Sequence, residues 1–150
     1  MDVNLEVVTI PVSDVDKALE FYSDRLGWRV DADIKAGDRF RVVQMTPTGE
    51  GHTSIAFGAG ITSATPGSFR HLELVTPDIL ATREELLERG VNVTEVYHGP
   101  GSVFLPEARI PGPDPNHESY QSYATFEDPD GNGWTLQEVT KRLPGREPKA

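Results

Sequence analysis

Cysteine is absent from this chain. That excludes a disulfide framework, a zinc–thiolate centre and a thiol nucleophile, so any chemistry must use imidazole, carboxylate, hydroxyl or amide groups. Positive charge is scarce as well: 14 Lys and Arg stand against 24 Asp and Glu, giving a net charge of −10 and a pI near 4.8. A phosphate backbone or an anionic bilayer rewards clustered cations, so neither nucleic acid nor membrane is expected as a partner, and the acidity reads as a solubility device. No apolar run approaches the ~18 residues of a membrane span. The opening MDVNLEVVTI has no basic stretch followed by an apolar one, so a cytoplasmic location is expected. A Walker loop, a Rossmann glycine fingerprint and a G-x-S-x-G elbow are also missing, which leaves nucleotide-dependent and triad chemistry unsupported.

What is present is an ordinary globular composition, 37% hydrophobic and 25% charged over 150 residues. This length suits one domain with a real core, and a single domain over 1–150 is expected. Residues 3–12 are rich in β-branched types and run into Ser13-Asp14, a natural N-cap. Val15, Ala18, Leu19, Tyr22 and Leu26 then follow at helical spacing up to Gly27, a C-terminal stop. Three short β-type runs, WRVDADI, RFRVVQMTP and TSIAFGAG, complete a βαβββ order.

After the linker ITSATPGS the order restarts. FRHLELVTP reads as a strand that ends at a capping Asp78, and ILATREELLERG reads as a helix that ends at Gly90. Matching Asp14 to Asp78 also sets Val7 opposite His71. VNVTEVYH, SVFLP, SYQSYATFE and GWTLQEV supply strands for a second βαβββ unit, interrupted by the Pro-rich loop EARIPGPDPNHE. The expected fold is therefore α+β, with module one at about 3–60, a linker at 61–68, module two at about 69–140 and a tail at 141–150 that is poorly ordered beyond Leu143.

VTIPVSDVDKALEFYSDRLGW at the start and FEDPDGNGWTLQEV at the end, together with the half-length repeat, resemble the vicinal-oxygen-chelate superfamily of glyoxalases, bleomycin-resistance proteins and dioxygenases. The resemblance spans roughly residues 5–139. It implies two paired βαβββ modules that form an open U-shaped sheet around a cavity, commonly in a homodimer. Metal-using members hold a divalent ion on the first and last strands of each module, where it acts as a Lewis acid on vicinal oxygens. Carried over by position, those ligands fall on Val7, on Ser54 or Ala56, on His71 and on Thr135, and only His71 is a metal donor of the family's type. Glu138 differs in parity from Thr135 and should point to the other face; Gln137 shares the face of Thr135. One imidazole with neutral hydroxyls would hold an ion weakly, so no cofactor is expected and a divalent metal is disfavoured.

The candidate ligand-binding residues are Gln44, His71, His117, Tyr120, Tyr123, Thr135 and Gln137. In SYQSYATFE, Tyr120, Ser122, Ala124 and Phe126 alternate with Gln121, Tyr123 and Thr125, so one row must meet the cavity or the core, as ligand-facing phenols or as sheet packing. Gln44 and Arg41 fall on opposite faces, and Gln44 is the better cavity group because a buried Arg would need a carboxylate. His98 and His52 read as loop or turn residues, and Trp28 and Trp134 as packing. These residues point first to metal-independent small-molecule binding, of the drug-sequestering or ligand-carrying sort. The alternative is a lyase, isomerase or dioxygenase-like enzyme with His71 as base or metal ligand. Whether the chain is an enzyme stays open on the sequence.

Overall fold

In the computed structural model, which describes residues 1–147, Asp14 and Asp78 both cap helices as the repeat requires. Asp14 accepts a hydrogen bond from Lys17 N and opens α1 (Val15–Glu20); Asp78 accepts one from Ala81 N and opens α2 (Ile79–Glu88). Gly27 and Gly90 follow the two helices with φ of 71° and 80°, conformations that a residue bearing Cβ adopts only with strain. Beyond α1 the helix widens into a π-helical turn over Phe21–Arg25, where Leu26 N–H reaches back to Phe21 O.

The chain divides into two units. The first comprises residues 1–70 with 127–132, and its sheet contains β1 (Val7–Thr9), β2 (Arg29–Ala36), β3 (Phe40–Thr46) and β4 (Ser54–Ala59) in the order β1-β4-β3-β2. β1 runs parallel to β4, and the other pairings are antiparallel. Val43 faces Phe57 and Met45 faces Ile55 in register, and Tyr22 stacks on Phe57 at 5.6 Å, so this row and the helix make the core. Arg41 lies on the same side, paired with Asp16 of α1 and with Asp33. Those contacts hold the Asp33 carboxyl below its usual range, the hydrogen bond from Arg41 being the main cause. Gln44 faces Ala56 on the opposite side, in the row that also carries the bonded hydroxyls of Thr46 and Ser54.

The second unit comprises 71–126 and the chain from Gly133 onward. Its sheet contains β5 (Leu72–Thr76), β6 (Tyr97–His98), β7 (Ile110–Pro111), β8 (Ser122–Glu127) and β9 (Gly133–Glu138), in the order β5-β9-β8-β6-β7, with β5 parallel to β9. The connectivity of the first sheet is repeated, with one short edge strand added. Both sheets are open, and the fold class is α+β.

Three sequence readings are corrected here. Of VNVTEVYH only Tyr97 and His98 are in a strand: Thr94 N–H donates to Thr125 O, but Thr125 N–H is returned to the Thr94 hydroxyl and Arg83 Nε donates to Thr94 O, so the regular ladder is broken there. SVFLP is not a strand, because Gly101 O accepts from both Phe104 N and Leu105 N in a turn and Pro106 starts a 3-10 helix. The added strand β7 lies instead in the segment read as a loop. The tail carries a 3-10 turn at Pro144–Arg146, with proline favoring its start; the expectation for residues 148–150 lies outside the described residues.

The DPDGN segment belongs to the first unit, although it joins β8 to β9. Asp128 accepts from Tyr22 Oη (2.8 Å), Asn132 Nδ2 (2.8 Å), Asn132 N (2.9 Å) and Asp130 N (3.0 Å). Fully buried Asn132 also donates to Pro11 O at 2.8 Å and accepts from Phe69 N at 3.1 Å. Asp130 takes the amide and hydroxyl of Ser13. Gly67 packs so close that a Cβ would meet Asp130 O at 2.0 Å. Replacing Asn132 with Ala strands Phe69 N and part of Asp128 and leaves Pro11 O with only the longer bond from Gly67 N, and should cost about 2–3 kcal/mol in urea titrations followed by tryptophan fluorescence. A loss below ~0.5 kcal/mol would contradict the assignment.

Candidate functional site

Alternation along β9 separates two chemistries. Trp134, Leu136 and Glu138 share the face covered by α2: Trp134 stacks with Phe126 at 6.4 Å, and buried Glu138 accepts a hydrogen bond from Ile79 N at 3.0 Å at the start of that helix. Thr135 and Gln137 take the other face, both buried. Register sets Glu73 beside Thr135 and Val75 beside Gln137, and it sets Tyr97 beside Tyr123 with ring centroids 5.7 Å apart. The face away from α2 is therefore a row of phenols, amide, hydroxyl and carboxylate.

These groups are tied together through one carbonyl. Tyr120 O accepts Tyr123 Oη at 2.6 Å and Gln137 Nε2 at 3.1 Å. Burial pushes the Tyr123 phenol up, with the amide of Gln137 opposing and the charge of Glu73 adding to the rise. Burial likewise raises Tyr97, against the positive charge of Arg109. The Arg109 guanidinium lies over the Tyr97 ring, 4.1 Å from its centroid.

The remaining candidates are distributed as follows. His71 precedes β5, exposed, with its ring edge-on to Phe104 at 5.0 Å. His117 and Tyr120 line a surface groove of about 560 Å³ together with Lys141, Arg142 and Leu143. His117 Nδ1 stands 3.8 Å from Glu138 Oε1. Gln44 lies in the first unit. Thus Tyr120, Tyr123, Thr135 and Gln137 belong to one face or the carbonyl that braces it, and His117 adjoins Tyr120 in the groove. His71, His117 and Tyr120 adopt φ of 60°, 50° and 71°, and they are the non-glycine residues with positive φ among those described. Such backbone costs of order 1–3 kcal/mol and concentrates at binding and catalytic positions.

Sequence reasoning missed Tyr97, Arg109 and Glu73. Tyr97 could have been found from the pairing of VNVTEVYH with SYQSYATFE, and Glu73 from its two-residue spacing from His71. Arg109 lies in a Pro-rich segment that carries no periodic signal.

The profile of the Glyoxalase/Bleomycin resistance protein/Dioxygenase superfamily matches residues 4–136. The chain belongs to this superfamily. Its solved structural relatives include TnmS3, an antibiotic binding protein from Streptomyces sp. CB03234, with 31% identity, a TM-score of 0.68 and coverage of 92% of this chain and 97% of that one. A glyoxalase/bleomycin resistance protein from the same organism is 32% identical, with a TM-score of 0.64 and coverage of 89% and 99%. A superfamily member from Sphaerobacter thermophilus DSM 20745 is 29% identical, with a TM-score of 0.67 and coverage of 91% and 98%. No curated protein matches the sequence.

Against the superfamily's metal chemistry the donor set does not fit. Val7, Ser54 or Ala56, and Thr135 offer no imidazole or carboxylate, and among the described residues no three His, Asp or Glu side chains gather around one point. Nor, among the described residues, is any helix long and apolar enough to cross a membrane.

The raised phenols set a pH dependence. Tyr97 and Tyr123 stay protonated longer in the folded chain than in the unfolded one, so their contribution is complete below about pH 10 and is lost as pH rises through their folded values. Urea midpoints should fall across that window, and fall less in Tyr97→Phe. A midpoint that rises there would contradict the burial argument.

Proposed function

We propose that this superfamily member binds a flat, oxygenated small molecule against the aromatic and polar face of its second unit, without a metal ion, as a sequestering or carrier protein. The observation that carries the reading is the buried row Tyr97, Tyr123, Thr135 and Gln137, which gathers two phenol rings, a hydroxyl and an amide on the side of the sheet opposite α2. Ligand sites combine apolar walls with a few fixed polar groups in this way. Tyrosine supplies both in one rigid side chain. TnmS3, described as an antibiotic binding protein, supports a drug-like natural product as the ligand class.

Thermal unfolding in the presence of a panel of polycyclic aromatic antibiotics tests this. A true ligand at 100 times its Kd adds about 2.7 kcal/mol, a rise of several degrees in Tm. The rise should persist in EDTA, and Tyr123→Ala should weaken binding about tenfold or more. Stabilisation abolished by EDTA would overturn metal independence, and a panel without effect would overturn the binding reading. Turnover lost in His71→Ala with binding retained would put catalysis first.

A further inference from the structure

Arg109 stands just before β7, half-buried, and differs from the other part-buried arginines in what it lacks. Arg41 pairs with Asp16 and Asp33, and Arg83 with Glu95. Arg109 makes no ion pair among the described residues, and its Nε is buried without a hydrogen-bond acceptor. The Tyr97 hydroxyl is buried as well and has no well-formed hydrogen bond, the guanidinium beside it being its one polar neighbour of note. A buried donor without an acceptor costs about 1–3 kcal/mol, and more when it is charged. The two unmet groups lie side by side, and one oxygen with lone pairs and negative charge would satisfy both. Glu73, the carboxylate that register sets on this face, acts on Tyr123.

We propose that Arg109 and Tyr97 select ligands in which a flat ring carries an acidic oxygen, as carboxylate, phenolate or enolate. This rests on the binding face proposed above and adds the charge of what it takes. The ring lies on the tyrosine face, and the anionic oxygen meets the guanidinium beside the Tyr97 ring. It accepts the guanidinium N–H and the phenol O–H, both charge-assisted bonds. The chain's net charge of −10 repels anions in general, so preference for an anion must come from a local cation, here Arg109.

The experiment is calorimetric titration of the full chain near neutral pH with naphthoate and with its uncharged amide, naphthamide, which share shape and ring. Wild type should bind naphthoate at least about tenfold more tightly. Arg109→Gln should abolish or reverse that preference, read as the ratio of the naphthoate and naphthamide affinities. Arg109→Lys should restore part of it, and Tyr97→Phe should weaken naphthoate alone by a few-fold. Should Arg109→Gln fail to fold, Tyr97→Phe and Arg109→Lys carry the test. Equal affinities in wild type, or a preference that survives both Arg109→Gln and Tyr97→Phe, would overturn the proposal and leave the binding face standing. Binding of neither compound would overturn the face itself.

Discussion

The carboxylate of Asp128 accepts four hydrogen bonds inside the first unit, and much of that unit is arranged around it. One comes from Tyr22, whose ring packs against Phe57 and Trp28, so the polar knot and the apolar core share a side chain. Two come from Asn132, which at the same time holds Pro11 O and Phe69 N. Buried polar groups are stabilising only when each donor and acceptor is used, and here the geometry uses them. The parallel contact of β1 with β4 and the start of α1 both adjoin segments that this knot fixes.

The second unit follows a different rule on its face away from α2. Tyr123, Gln137 and the Tyr120 carbonyl form a closed arrangement, while Tyr97 and Arg109 leave donors unused next to it. A chain that satisfies Asp128 so completely has the means to satisfy Arg109; that it does not is informative. Places where a protein departs from its own local consistency are where function is concentrated. The left-handed backbone at His71, His117 and Tyr120 belongs to the same pattern, strain held by surroundings at residues with polar side chains.

Much of this was legible beforehand, for a physical reason. Capping aspartates, terminal glycines and two-residue alternation are local signals, so the repeat, the opposite faces of Arg41 and Gln44, and the parity of Thr135, Gln137 and Glu138 could be read without coordinates. What local signals cannot supply is partnership across long sequence distance. DPDGN reads as a turn, and its role as the knot of the first unit depends on Tyr22 and Pro11, more than a hundred residues away. Arg109 is invisible for the same reason, because its meaning is the absence of a carboxylate. The strand at Ile110–Pro111 lies where prolines argue for a loop, and it is tolerated because it is an edge of two residues.

The assignment of residues 127–132 to the first unit has a consequence for how the chain is made. A ribosome completes the first 70 residues long before it reaches Asn132, and until then the Tyr22 hydroxyl and Phe69 N lack the side chains that satisfy them. The first unit therefore gains its last hydrogen bonds only after most of the second unit's strands have emerged. Contacts of this sequence separation slow folding. They also couple maturation of the two sheets, so that an unfinished second half leaves an unfinished first.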